Sequence, residues 1–145
     1  MENNAPGRLK LKVTGILYII SAAISILGGL VALAGGAFAV AADDSMSGYG
    51  AAIGIVAGIV GVVVIVSAVY SLVMGILGVK NSNKPEKCGV NFVLGIIMIV
   101  FCAIALILGV TGDGDNTSSI VGQVISLVLA IIYTIGAKQN KDAVR

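Results

Sequence analysis

Between Lys12 and Asp43 the chain carries no charged side chain, and three further charge-free runs follow at 45–79, 88–112 and 116–137. Each is longer than the roughly 18 residues that mark a membrane-spanning helix. Four such runs restrict the fold more than any other feature. A soluble domain of 145 residues needs about a quarter of its side chains charged, and this one has 11%, with 58% hydrophobic and a mean hydropathy of +1.08. The two prolines, Pro6 and Pro85, both lie outside the runs, whereas the 20 glycines are scattered through them. Membrane helices accept glycine because it lets backbones approach closely.

The expectation is an all-α membrane protein, a four-transmembrane-helix bundle of two hairpins forming one membrane domain over 1–145. The spans fall near 13–42, 50–79, 88–111 and 117–137, with an inner loop at 80–87 and outer turns at 43–49 and 112–116. "RLKLK" (8–12) followed by apolar residues and "AFAVAA" (37–42) imitates a cleavable secretory signal. The apolar stretch 13–36 exceeds the 7–15 or so residues of a signal core, so an uncleaved first helix is expected.

Charge sets the topology. Arg8, Lys10, Lys12, Lys80, Lys84, Lys87, Lys138, Lys141 and Arg145 lie at the N-terminus, in the middle loop or in the C-terminal tail. The other two turns hold Asp43, Asp44, Asp113 and Asp115 and no base. Basic loops stay cytoplasmic, which places both termini inside; the location expected is a bacterial cytoplasmic membrane. With Glu2, Glu86 and Asp142 counted, the inner side sums to +6 and the outer to −4, which accounts for the net +2 without a nucleic-acid partner. The partners expected are the lipid bilayer and either a second membrane protein or further copies of the chain.

"VTGDGDN" (110–116) opens like a calcium loop, but a loop starting at Asp113 needs Gly at 118 and Glu at 124. The chain has Ser118 and Val124. A turn through Gly112 and Gly114, with Asp115, Asn116 or Thr117 capping the next helix, is the plainer reading. No metal or other cofactor is expected.

In lipid, helices associate through small residues and interhelical hydrogen bonds. On the first span Ser21, Ser25, Gly28, Ala32 and Gly36 fall near one face, with Thr14, Gly35 and Ala39 beside them. On the second, Gly54 and Gly58 share a face of the outer half with Gly50 and Gly61, and Ser67, Ser71 and Gly75 share a face of the inner half. Gly95 on the third span aligns with Asn91, Met98, Cys102, Ala105 and Gly109, while Gly122 and Ser126 on the fourth align with Ser119, Ala130, Tyr133 and Ala137. These small residues are candidate packing positions. Asn91 and Gln123 are the most polar side chains within reach of the bilayer, candidates for a polar path or for interhelical hydrogen bonds. "GILYII" (15–20) and "GVNFVL" (89–94), with "GVKNSNK" (78–84) and "GAKQNK" (136–141), suggest a parallel internal repeat. The first hairpin is the longer, and its excess is expected to project outward around "AADDSMSGYG" (41–50).

Reactive chemistry is sparse. There is no His and no Trp, and no Asp, Glu, Lys or Arg within a span. Proton-coupled transport and intramembrane catalysis both call on buried ionisable groups, so no catalytic residue is expected. Cys88 at the inner boundary and Cys102 within the third span do not reach the oxidising side, and a structural disulfide is not expected.

The two-hairpin plan, with "GILYIISAAISILGG" (15–29) leading and the inner loop "KNSNKPEKCG" (80–89), resembles small bacterial tetraspan families of unknown function across nearly the whole chain. The resemblance implies a membrane bundle and carries over no site residue. Small multidrug transporters rely on a glutamate in the first span, claudin-like proteins on a Trp and paired Cys in the first outer loop, and tetraspanins on a large Cys-bearing outer loop; none of these is present. The expected role is a non-catalytic accessory, assembly or envelope-associated component acting through helix contacts. The alternative is a homo-oligomeric channel or uniporter for a small solute or ion.

Overall fold

The computed structural model describes residues 5–42, 48–111 and 117–143. The acidic turns, including the calcium-like residues 112–116, lie outside the described residues. Four helices follow in order: α1 (Arg8–Ala41), α2 (Tyr49–Asn81), α3 (Cys88–Thr111) and α4 (Thr117–Asp142), with a single 3₁₀ turn at Pro85–Lys87 before α3. All four are long and apolar enough to cross a membrane. At 1.5 Å per residue α1 and α2 run about 50 Å and α3 and α4 about 36–39 Å, against roughly 30 Å of hydrocarbon.

Local chemistry explains the boundaries. Before α1, Pro6 has no N–H to satisfy, and the Gly7 carbonyl accepts the first helical bond from the Leu11 amide (3.0 Å). Gly48 enters α2 with φ +62, a conformation that a Cβ would strain. After α2, Pro85 cannot continue a helix and pushes Lys84 out of helical geometry (φ −125, ψ 81). The amides of Lys84 and Lys87 then bond the carbonyls of Asn81 (2.9 Å) and Lys84 (3.0 Å), closing the connection to α3.

The chain divides into two compact units, Tyr18–Val73 and the segments on either side of it. Within Tyr18–Val73, α1 and α2 meet through small residues spaced by seven. Ala22, Gly29 and Gly36 on α1 and Gly54, Gly61 and Ala68 on α2 are buried. A Cβ on Gly36 would sit 2.7 Å from the Gly54 carbonyl oxygen, and one on Gly61 3.0 Å from that of Gly29. A contact repeating every seven residues is the pattern of a left-handed coiled coil. Large side chains such as Leu27, Val31 and Phe38 point away, at 65%, 71% and 80% exposed, while Leu33 and Ile65 reach in beside Gly61 and Gly29. Small residues inside and bulky ones outside is the arrangement that lipid, not water, favours.

In the other unit, α3 packs along α4, with Gly95 against Thr134. Leu11, Met74, Cys88, Cys102, Ala130, Tyr133 and Ala137 form its apolar core. Gly15 faces the Gly75 carbonyl oxygen at 2.9 Å from the position a Cβ would take, so the seven-residue count of the α1–α2 contact holds here too.

Candidate functional site

The most concentrated chemistry lies in the second of these units, where the start of α1, the end of α2, the start of α3 and the end of α4 converge. Asn81, Ser82, Asn91 and Asn140 are buried there, although each is polar. Buried amides are tolerable only when bonded, and these are. Asn81 Nδ2 donates to Asn91 Oδ1 at 3.0 Å, and Asn91 Nδ2 donates to the Leu77 carbonyl at 3.0 Å, linking α2 to α3. Asn140 on α4 accepts from the Gly7 amide (2.8 Å) and donates to the Ser82 carbonyl (3.3 Å). Tyr133 Oη donates to the Met74 carbonyl at 2.8 Å. The Cys88 thiol donates to the Asn81 carbonyl at 3.3 Å.

Glycine makes this convergence sterically possible. A Cβ on Gly78 would lie 2.7 Å from the Tyr133 ring, and one on Gly7 would collide with the Gly136 carbonyl oxygen. The arrangement can therefore lock four helix ends together. Each amide of the cluster already serves a protein partner, so the cluster offers a ligand little. Among the described residues no three of Cys, Asp and Glu gather closely enough to hold a metal ion.

The chain matches no protein-family model, no curated protein and no solved structure.

The small residues singled out in the sequence separate into three groups by burial. Gly36, Gly54, Gly75 and Gly95 are buried at helix contacts. Ser25, Ala32, Ser71 and Ser126 are half-buried; Ser71 donates to the Ser67 carbonyl (3.0 Å) and Ser126 to that of Gly122 (2.9 Å), each within its own helix. Ser21, Gly28, Ser67 and Gly122 are exposed, and no atom lies within 4 Å of where a Cβ would stand on Gly28, Gly58 or Gly122. On α1 the contact stripe is thus displaced by one residue, to Ala22 and Gly29 instead of Ser21 and Gly28. Gly58 lines an open apolar groove of about 440 Å³ with Leu33, Ile55, Ile59, Val62 and Val63.

Asn91 is buried and bonded at both ends of its amide. Gln123 is half-buried, and its Oε1 is shielded without a hydrogen-bond partner. The residues that complete the polar cluster, Asn81, Ser82 and Asn140, lie in the inner loop and the C-terminal tail, each within two residues of a lysine. One signal did exist. "GVKNSNK" and "GAKQNK" place a glycine and an asparagine at similar offsets beside lysine, and in both segments the glycine (Gly78, Gly136) and the asparagine (Asn81, Asn140) are buried.

Proposed function

We propose that the chain is a non-catalytic integral membrane protein of a bacterial cytoplasmic membrane, with both termini inside, acting through helix contacts as an accessory or assembly subunit or an envelope-associated component. One observation carries this reading. Ser21, Gly28 and Gly35 repeat the seven-residue spacing of the occupied stripe Ala22, Gly29 and Gly36, one position away, and Gly28 and Gly35 face open space. Glycine inside a helix costs about 1 kcal/mol relative to alanine. Contacts among the described residues explain Gly29 and Gly36 but give Gly28 and Gly35 no packing partner. A helix of another polypeptide, approaching as α2 does, supplies one. The inside location of the termini rests on the basic residues gathered where the four helix ends converge.

The test is affinity capture of the full chain in mild detergent, with intact complexes weighed by native mass spectrometry. A defined heteromeric partner, lost on Gly28→Leu with Gly35→Leu, is the expected result. Solute flux from the pure protein in liposomes would overturn it. The channel reading draws on Gln123, whose unpartnered Oε1 is the one such acceptor on α4 among the described residues. It requires a clean homo-oligomer and a flux lost on Gln123→Leu or Asn91→Leu.

A further inference from the structure

We infer that the end of the protein where the four helix termini converge is a binding surface for anionic phospholipid, the phosphate lying among lysines and the acyl chains on the apolar helix faces beside them. The inference uses the membrane setting of the proposed function but not its helix-mediated partner.

The hydrogen bonds from Gly7 to Asn140 and from Asn140 to Ser82 bring the start of α1, the end of α2 and the end of α4 to one place. That geometry collects Arg8, Lys10, Lys12, Lys80, Lys84, Lys87, Lys138 and Lys141 at one end of the unit, against the carboxylates of Glu86 and Asp142. Six of the lysines are exposed. None of these side chains is paired with a carboxylate among the described residues. Among the described residues the charge is therefore not compensated.

Two ammonium groups are already held in place. Lys10 Nζ donates to Gln139 Oε1 at 3.2 Å, and Lys141 Nζ stands 5.2 Å from the centre of the Phe92 ring. An ammonium has three N–H donors, so Lys10 keeps two for an incoming phosphate. Lys138 lies three residues from Lys141 on α4, on nearly the same face.

Charge alone would suit any phosphate. The surface just beyond the lysines decides for a lipid. Leu9 and Val13 flank Lys10 and Lys12 and are 73% and 48% exposed; Val90 and Val93 follow Lys87 by one and two turns and are 58% and 55% exposed. Ile135, one turn before Lys138, is exposed as well. A molecule that satisfies both parts of this surface carries a negative head and an apolar tail.

The experiment takes the full chain, purified free of lipid in detergent, and titrates it with phosphatidylglycerol or with phosphatidylcholine of the same acyl chains, counting bound lipids by native mass spectrometry. Phosphatidylglycerol should be retained several-fold better. Each lysine near an anionic head changes affinity by up to about five-fold, so Lys10→Gln, Lys138→Gln and Lys141→Gln together should bring a several-fold ratio close to one. Should that variant fail to fold, the wild-type ratio at roughly 1 M salt serves instead, because the screening length there is only about 3 Å. Equal retention of the two lipids by the wild type overturns the inference. So does a preference that survives both the triple substitution and high salt. Displacement of bound phosphatidylglycerol by excess inorganic phosphate would identify a free-anion site and equally overturn the lipid reading.

Discussion

Asn140 Oδ1 accepts the backbone amide of Gly7 at 2.8 Å, joining positions 133 apart in the chain. The contact sits one residue before α1 and two before the last residue of α4, so it fastens the first helix to the last. It also holds the lysines of the two helix ends side by side, which is what makes a shared basic surface possible.

Asn140→Ala removes the acceptor for the Gly7 amide and the donor to the Ser82 carbonyl. A buried N–H left unpaired costs about 1–3 kcal/mol. Denaturant unfolding in detergent should show a loss of that size. Wild-type stability in the variant would mean that the two helices are fastened elsewhere.

Gly35 and Gly36 are neighbours with opposite expectations. A Cβ on Gly36 meets the Gly54 carbonyl oxygen at 2.7 Å and the Gly58 nitrogen at 3.1 Å. Gly36→Ala should therefore destabilise by about 1–3 kcal/mol through overpacking. Gly35→Ala meets nothing and should be neutral, or stabilising by up to about 1 kcal/mol through helix propensity. Unfolding curves of the pair that coincide would contradict the seven-residue contact.

Asn81 and Asn91 form a reciprocal case. Asn91→Leu leaves the Asn81 Nδ2 donor without its acceptor and should cost about 1–2 kcal/mol. Adding Asn81→Ala removes that stranded donor, so the double variant should lose less than the sum of the singles, by about 0.5–1.7 kcal/mol. Strict additivity in a double-mutant cycle would rule out the direct bond.

Membrane orientation is testable by labelling. Cys88 and Cys102 are both free and buried and should stay silent toward maleimides until the protein is unfolded. Asn83→Cys, in the connection after α2, should react with a membrane-impermeant maleimide only after the cells are broken, and Tyr49→Cys, at the start of α2, should react in intact cells. The reverse pattern would invert the proposed topology.

Much of the architecture was legible beforehand, and for a local reason. A span needs only an uninterrupted apolar run, so the helices α1 to α4 could be read from the charge-free stretches without knowing any neighbour. Pro85 likewise announced a break, because its ring bars α-helical geometry at Lys84 whatever surrounds it. The packing face of α1 was less accessible. Ser21, Gly28 and Gly35 and the neighbouring Ala22, Gly29 and Gly36 are two stripes of nearly equal smallness, and helical periodicity cannot rank them.

The sequence by itself therefore determined four helices apolar enough to span a membrane and their order, because charge, hydrophobic length and proline act within a few residues. Only the tertiary structure decided which stripe meets α2 and which polar groups pair. Gly36 is matched by the backbone of Gly54, and Asn140 by Gly7 and Ser82, each far away in the chain. Shape and hydrogen-bond geometry between distant segments select among residues that look alike in isolation, and that selection is made only when the helices come together.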